Sequence, residues 1–359
     1  MIDGVASLVP AMQGRATALD EAGSYPLEDM AALVEAGALL APFPVEAGGL
    51  GLGTAPDGAG ALAAVLTALG RGNLAVGRLY EGHVNAVRLL ARYGTEAQVR
   101  RAAADAAAGL LFGLWVTDGA VDGLRAGPDG RLRGGKAFCS GAGHAGRAIV
   151  TIETMDDEGV AQTRLAFVST DGAVASRLAG RLHGMRAACT GLVSFEGGQV
   201  GAGDWLGPPG AYLQEPDFSA GAWRTSAVTC GGLAALVGEA MRQLVARGRS
   251  GDPHQRARMG RAWIAQETAL LWRDRAAMAA EGVADDAPGI IATVNFARIA
   301  IEAACLEAMT LVERSLGLAA FVHPNPVERM RRDLATYLRQ PAADEVLTEA
   351  AAHVMRSLG

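Results

Sequence analysis

The chain has 359 residues, 50% of them apolar, with 19% charged residues and a formal charge of −6. So much apolar material fills a sizeable core without staples and excludes global disorder, which needs low hydrophobicity and high net charge. The mild negative balance gives no long-range pull toward phosphate backbones, so no nucleic-acid partner is expected, and the 48 glycines keep no period of three, which excludes collagen.

From Ala6 to about Gly109 apolar positions recur at helical spacing, as in Met30, Ala31, Leu33, Val34 and Leu39, and again in Val84, Val87, Leu89 and Leu90. This predicts an α-helical first domain over residues 1–109. Two prolines and four glycines within Pro42–Gly53 interrupt it with an ordered loop, and helices resume between Pro56 and Gly70. Over residues 110–207 the texture changes to short runs at Leu111–Thr117, Arg147–Glu153, Thr163–Val168 and Gly191–Phe195, separated by turn clusters such as Gly127–Gly130 and Asp156–Gly159. That spacing predicts an antiparallel β domain, and with no helix-length segment between the runs a parallel βαβ sheet is not expected. Residues 208–359 read as helices over Ala222–Arg247, His254–Ala280, Gly289–Leu316 and Val327–Leu338, with a short last helix from Ala343. Long amphipathic segments joined by short Gly, Pro and Asp loops predict a four-helix bundle. The fold class is therefore α+β: an N-terminal α-helical domain, a middle antiparallel β domain and a C-terminal four-helix bundle.

Several familiar motifs fail on their context. Gly141-Ala-Gly143-His-Ala-Gly146 has the spacing of a dinucleotide-binding turn, but the run that follows reads as a strand and not as the helix whose amides would meet a pyrophosphate. Gly130 to Lys136 has P-loop spacing but ends in Ala137, where a Ser or Thr must hold magnesium. The six histidines form no H-E-x-x-H or i,i+4 pair, so no metal site is expected. Cys139, Cys189, Cys230 and Cys305 are too scattered for a disulfide framework and read as buried small apolar residues. The N-terminus lacks a basic region before an apolar run, and no stretch of 18 apolar residues occurs, so the reading is a soluble cytoplasmic protein without a membrane segment.

In the same order along the chain stand Leu39-Leu-Ala-Pro-Phe-Pro-Val-Glu-Ala-Gly-Gly-Leu-Gly-Leu-Gly53, Tyr93-Gly-Thr-Glu-Ala-Gln98, Lys136-Ala-Phe-Cys-Ser-Gly141, Gly184-Met-Arg-Ala-Ala-Cys-Thr190, Asp204-Trp-Leu-Gly207 and Pro326-Val-Glu-Arg-Met-Arg-Arg-Asp333. Together they resemble the G-L-P-E-x-x-G-G-L-G, G-T-E-E-Q, K-x-W-I-T-N-G, G-x-R-x-S-x-T, N-L-L-G and P-x-x-R-x-x-R-D segments of the acyl-CoA dehydrogenase superfamily. The resemblance spans nearly the whole chain and implies FAD as cofactor. It places Trp115 and Thr117 at the Y-x-x-T-E edge of the isoalloxazine, Phe138 beside the ring and Ser140 near N5, where hydrogen bonds tune the flavin's electronics. It also implies that Arg249 reaches a neighbouring subunit's pyrophosphate, and that Arg314 and Gly317, in place of Q-x-x-G-G, meet the adenine end from a neighbour, in a homodimer or homotetramer.

The chain departs from the family at the chemistry. The family's usual base, eight residues after the R-D aspartate, falls on Pro341, which has no proton to move. The alternative position aligns near Thr225 with Arg224 beside it, and the nearest carboxylate to the missing base is Asp344, so Arg224 and Asp344 are the catalytic candidates. The loop Thr117–Arg125 is about four residues shorter than T-E-P-G-A-G-S-D requires, and Ala188 replaces a serine. The resemblance implies, first, an FAD-dependent oxidoreductase that desaturates an acyl thioester at the α,β bond. Second comes a reduced-flavin monooxygenase of the same fold, which needs no α-carbon base. Third comes an inactive scaffold of that fold.

Overall fold

A computed structural model describes residues 1–119, 122–178, 181–282 and 286–356. The first third is helical: α1 (Ile2–Ala22), α2 (Leu27–Glu35), α3 (Ala59–Gly72), α4 (Leu74–Tyr93) and α5 (Glu96–Ala107). The Thr95 turn becomes the start of α5 because Thr95 and Gln98 cap each other's backbone N–H groups. Asn73 divides α3 from α4 and accepts from the Ala75 N–H at 3.0 Å. The Pro42–Gly53 loop is folded back on itself by Leu50 N to Ala41 O (3.0 Å) and Gly51 N to Phe43 O (2.8 Å). Only glycine fits at position 49, where a Cβ would lie 2.0 Å from the Phe43 carbonyl.

The middle third holds β1 (Phe112–Trp115), β2 (Arg125–Ala126), β3 (Leu132–Arg133), β4 (Gly135–Cys139), β5 (Arg147–Met155), β6 (Ala161–Ser169), β7 (Val174–Arg177), β8 (Gly191–Ser194) and β9 (Trp205–Leu206). One sheet runs β3-β2-β5-β6-β9 with β1 also on β5, and a smaller one runs β4-β8-β7. Five of the seven pairings among the described residues are antiparallel; β1 with β5 and β2 with β5 are parallel. Run spacing does not predict those two. Between β1 and β5 the chain crosses through β4 in the other sheet, so the parallel return needs no helix. The glycine-rich stretch 141–146 is a turn with Gly141 and Gly143 at φ of +73° and +79°, and β5 starts at Arg147 immediately after it.

The last third is the short α6 (Asp217–Ala220), then α7 (Ala222–Ala246), α8 (Pro253–Glu281), α9 (Ala287–Leu316), α10 (Pro326–Tyr337) and α11 (Ala343–Arg356). Asp252, Asp286 and Asn325 each cap a following helix, accepting backbone N–H bonds from Gln255, Gly289 and Val327 at 3.1, 3.1 and 3.0 Å. The segment Ala287–Phe321 is long and apolar enough to cross a membrane by length and composition, and in the fold α9 packs against α7, α8 and α11.

The two helical thirds share one core, in which Leu62, Leu66 and Leu69 of α3 meet Trp223, Leu233 and Leu236 of α7. A Cβ on Gly70 would lie 2.1 Å from Val228 O, and one on Gly231 would lie 2.1 Å from Thr67 O. The backbones of α3 and α7 therefore touch at reciprocal glycines. A second core fills the space between the sheets with Trp115, Leu124, Leu132, Cys139, Ile152 and Phe195. All four cysteines are free and buried.

Candidate active site

A cavity of about 350 Å³ opens where the first and last thirds meet, lined by Asn85, Arg88 and Arg92 of α4, Arg224 and Thr225 of α7, Asn295 and Arg298 of α9, and Tyr337 and Pro341 at the end of α10. From the β domain Leu114 reaches it. Alternate residues of a strand face opposite sides, so the neighbour Trp115 points into the inter-sheet core instead.

The walls are joined by buried charge. Glu281, at the end of α8, accepts from Trp223 Nε1 at 2.9 Å, from Arg88 Nη1 at 2.8 Å and from Arg224 Nη2. Burial opposes this carboxylate's charge, but Arg224 and Arg88 together with the indole N–H outweigh it and hold its pKa below the usual range. A second knot centres on buried Glu81 of α4, which accepts from Arg78, from Asn85 and, at 3.2 Å, from the Thr225 hydroxyl. Arg78 also donates through Nε to Ser140 Oγ at 3.3 Å, which links the cavity wall to the end of β4. Among the described residues two carboxylates line the cavity, and both are ion-paired: Asp217 with Arg92 at 3.1 Å and Arg88 at 3.5 Å, and Glu302 with Arg339 at 2.6 Å. Tyr337 is 6% exposed, and beside it the Thr225 hydroxyl donates to Glu81.

Backbone strain gathers around the same region. Among the described residues the non-glycine positions with positive φ are Phe138 (+54°), Met185 (+59°), Cys189 (+47°) and Ala342 (+57°). Such conformations cost about 1–3 kcal/mol each and persist where surrounding structure enforces them. Phe138 sits at the irregularity of β4, between Lys136 and Cys139, and is turned outward, 61% exposed. Met185 and Cys189 flank the loop that leads to Thr190, whose hydroxyl is 3.5 Å from that of Ser140. Met185 N donates to Asp333 Oδ1 at 2.6 Å, tying this loop to α10. Ala342 stands at the cavity mouth.

Four of the sequence-predicted residues come together at the β-domain edge. Trp115 donates its indole N–H to Ser140 O at 3.0 Å, and the exposed Thr117 accepts from Ala137 N at 2.8 Å, beside Phe138. Arg224 lines the cavity with its guanidinium committed to Glu281 and, at 3.1 Å, to Asn85. Asp344 is exposed in the first turn of α11 and does not line the cavity. Arg249 pairs with Asp252 at 3.3 Å, and Arg314 and Gly317 stand at the exposed end of α9, where Arg258 reaches the Arg314 carbonyl at 3.4 Å. That end is about 25 Å along α7 from Thr229, at 1.5 Å per residue, so these three share no site with Phe138 and Ser140 within one chain. The short loop after Thr117 is held by Asp118, which accepts from buried Lys136 Nζ at 2.5 Å and from Leu124 N at 3.2 Å; Ala120 and Val121 lie outside the described residues.

Sequence reasoning missed Leu114, Arg88, Glu281, Arg298 and Tyr337. For Leu114 a signal exists, since counting back three residues from Thr117 in Y-x-x-T reaches Leu114 and not Trp115. Arg88 and Glu281 are joined across 193 positions, and no local pattern announces such a pair.

Residues 8–109 match the family described as acyl-CoA dehydrogenase, N-terminal domain. No curated protein matches the sequence. Among solved structures, FMN-bound TdsC from Paenibacillus sp. A11-2 aligns with a TM-score of 0.86 at 18% identity, covering 99% of this chain and 97% of that one, and the same protein is described as a dibenzothiophene monooxygenase. Glutaryl-coenzyme A dehydrogenase in its glutaryl-CoA complex aligns with a TM-score of 0.84 at 20% identity, covering 100% and 94%. A nitrososynthase from Micromonospora carbonacea var. africana aligns with a TM-score of 0.84 at 19% identity, covering 100% and 95%. The chain thus matches the acyl-CoA dehydrogenase N-terminal domain over residues 8–109 and has, along its whole length, the fold of these solved enzymes.

Proposed function

We propose that this protein is a flavin-dependent oxidoreductase that oxygenates a small substrate held in the cavity between α4, α7 and α9. The observation that carries oxygenation over α,β-dehydrogenation is the state of the cavity's carboxylates. Removing a proton α to a thioester needs a carboxylate base in reach of that carbon, whereas Asp217 and Glu302 are both ion-paired with arginines and Pro341 stands at the family's usual base position. When bound, the reduced flavin supplies two electrons to dioxygen, so that one oxygen atom passes to the substrate and the other leaves as water.

The residues at the β-domain edge suit an isoalloxazine, a planar apolar body with polar edges. Phe138 offers an outward-turned ring on a strained backbone, the Ser140 and Thr190 hydroxyls lie 3.5 Å apart beside it, and Thr117 is exposed at the adjoining strand. Arg78 holds Ser140 in place through its Nε, and Leu114, three residues before Thr117, lines the substrate chamber. The phosphate end is supplied less well, because Asp118 is turned to Lys136 and Arg249, Arg314 and Gly317 lie at the other end of the bundle. FAD, the cofactor implied by resemblance, would need a second copy of the chain to bring those three residues to it, in a homodimer or homotetramer. FMN, present in the TdsC structure, has no adenylate to place and so does without those three residues.

The test is anaerobic. The protein is loaded with FMN or FAD and mixed with butyryl-CoA, and the visible flavin absorbance is followed; oxygen uptake is then measured with reduced flavin supplied. Retained absorbance with butyryl-CoA and oxygen uptake by the reduced protein are expected. Bleaching by the thioester would overturn the reading in favour of dehydrogenation, and failure to bind either flavin would favour an inactive scaffold.

A further inference from the structure

We propose that the cavity selects a substrate bearing a carboxylate, bound at Arg298. This deepens the reading of the cavity as the substrate chamber and rests on it.

Four arginines line the chamber, and three have carboxylate partners: Arg88 and Arg224 on Glu281, and Arg92 on Asp217. Arg298 has none among the described residues. Its Nη2 donates to the Pro341 carbonyl, and its Nε is buried without a partner. The nearest acid on its own helix is Glu302, one turn further on, and the Glu302 carboxylate is 2.6 Å from Arg339. Burial draws the Arg298 pKa below its ordinary value, with Glu302 opposing. A half-buried guanidinium without a contacting counter-charge is costly unless something else completes it.

Two further donors line the same chamber. Tyr337 lines it with a buried phenol. Asn295 lies three residues before Arg298, on the same helical face, and is buried and lines the chamber. A guanidinium, a phenol and an amide in one chamber suit the two oxygens of a carboxylate. Charge argues for a monoanion: one unmatched guanidinium balances a single negative charge and would leave a phosphate dianion uncompensated. Tyr93, Tyr212, Phe218 and Leu89 contribute apolar lining, which suits an aryl or alkyl body, and a cavity of about 350 Å³ is at the small end of ligand pockets.

The experiment measures dissociation constants of the flavin-loaded protein for phenylacetate, phenylacetamide and phenyl phosphate by tryptophan fluorescence, with flavin content recorded on each sample. Phenylacetate is expected to bind at least about tenfold more tightly than phenylacetamide, the scale of a charge-assisted hydrogen bond. Arg298→Gln, which keeps a donor for Pro341 O, is expected to abolish that preference and Arg298→Lys to retain part of it. Tyr337→Phe is expected to weaken phenylacetate alone. Equal affinity for acid and amide in the wild type, preference for phenyl phosphate, or a preference that survives in Arg298→Gln overturns the proposal. The wild-type comparison decides by itself should a variant fail to fold. A protein that prefers the acid yet binds no flavin would sink the flavin reading and leave this one standing.

Discussion

Acidification charges a histidine that the fold holds neutral. His83, on α4, is 0% exposed; its Nε2 donates to Leu39 O at 2.8 Å, and its Nδ1 accepts from the Phe112 N–H at 3.1 Å. Both ring nitrogens are thus used by the neutral tautomer, and a proton on Nδ1 would face the Phe112 N–H. Burial lowers its pKa from 6.5 to about 4, against the smaller opposing effect of the Leu39 carbonyl. The unfolded chain therefore takes up a proton near pH 6.5 that the folded chain refuses until about pH 4. The sign follows: the stabilisation is complete above the unfolded value and is lost as the pH falls through the interval between the two. At 1.36 kcal/mol per pKa unit, the loss amounts to about 3 kcal/mol. His83→Gln keeps a donor and an acceptor but has no proton to gain. Urea unfolding of both proteins across this interval, followed by tryptophan fluorescence, gives the difference in unfolding free energy at each pH. The wild type should lose about 3 kcal/mol more than the variant on going to the acid end, with equal denaturant slopes. Parallel pH dependences would refute the assignment of a neutral, pH-sensitive His83.

Gly70→Ala should destabilise the protein by about 1–3 kcal/mol, as overpacking does, because its Cβ would press on the Val228 carbonyl; a thermal melt reads this. Glu281→Gln leaves Arg88 and Arg224 without their shared counter-charge and should cost about 3–5 kcal/mol, the scale for breaking a buried pair from one side, seen as a lowered urea midpoint. Phe138→Gly should relieve the positive φ and raise stability by up to about 1 kcal/mol while flavin affinity, measured by absorbance after dialysis, falls.

Three helices of the last third were legible almost to the residue because each carries its own start signal: Asp252 before Pro253, Asp286 before Ala287 and Asn325 before Pro326. Among the strands, β5 and β6 were legible because both are long and run through β-branched and aromatic residues, whereas β2, β3 and β9 have two residues each, too few for any period to show. The two parallel pairings depend on where distant runs meet, which alternation within one run does not encode. At the candidate site, motif comparison singled out Thr117, Phe138 and Ser140, which lie close together at the end of β4, and of the chamber it named Arg224, Thr225 and Pro341. It did not show how the chamber's polar walls are joined, since pairs such as Arg224 with Glu281 and Glu302 with Arg339 are formed between distant segments.

The chamber takes its walls from α4 near the beginning of the chain and from residues 337–346 near its end. During synthesis from the N-terminus, Arg88 waits for a carboxylate 193 positions downstream, and α3 waits for the glycine face of α7. Local contacts form early and distant ones late, so the chamber is completed only once residues 337–346 have joined α4 and not by degrees. A stop codon ahead of Tyr337 would remove the wall formed by Tyr337, Leu338, Gln340, Pro341, Ala342 and Val346 and leave the chamber open on that side.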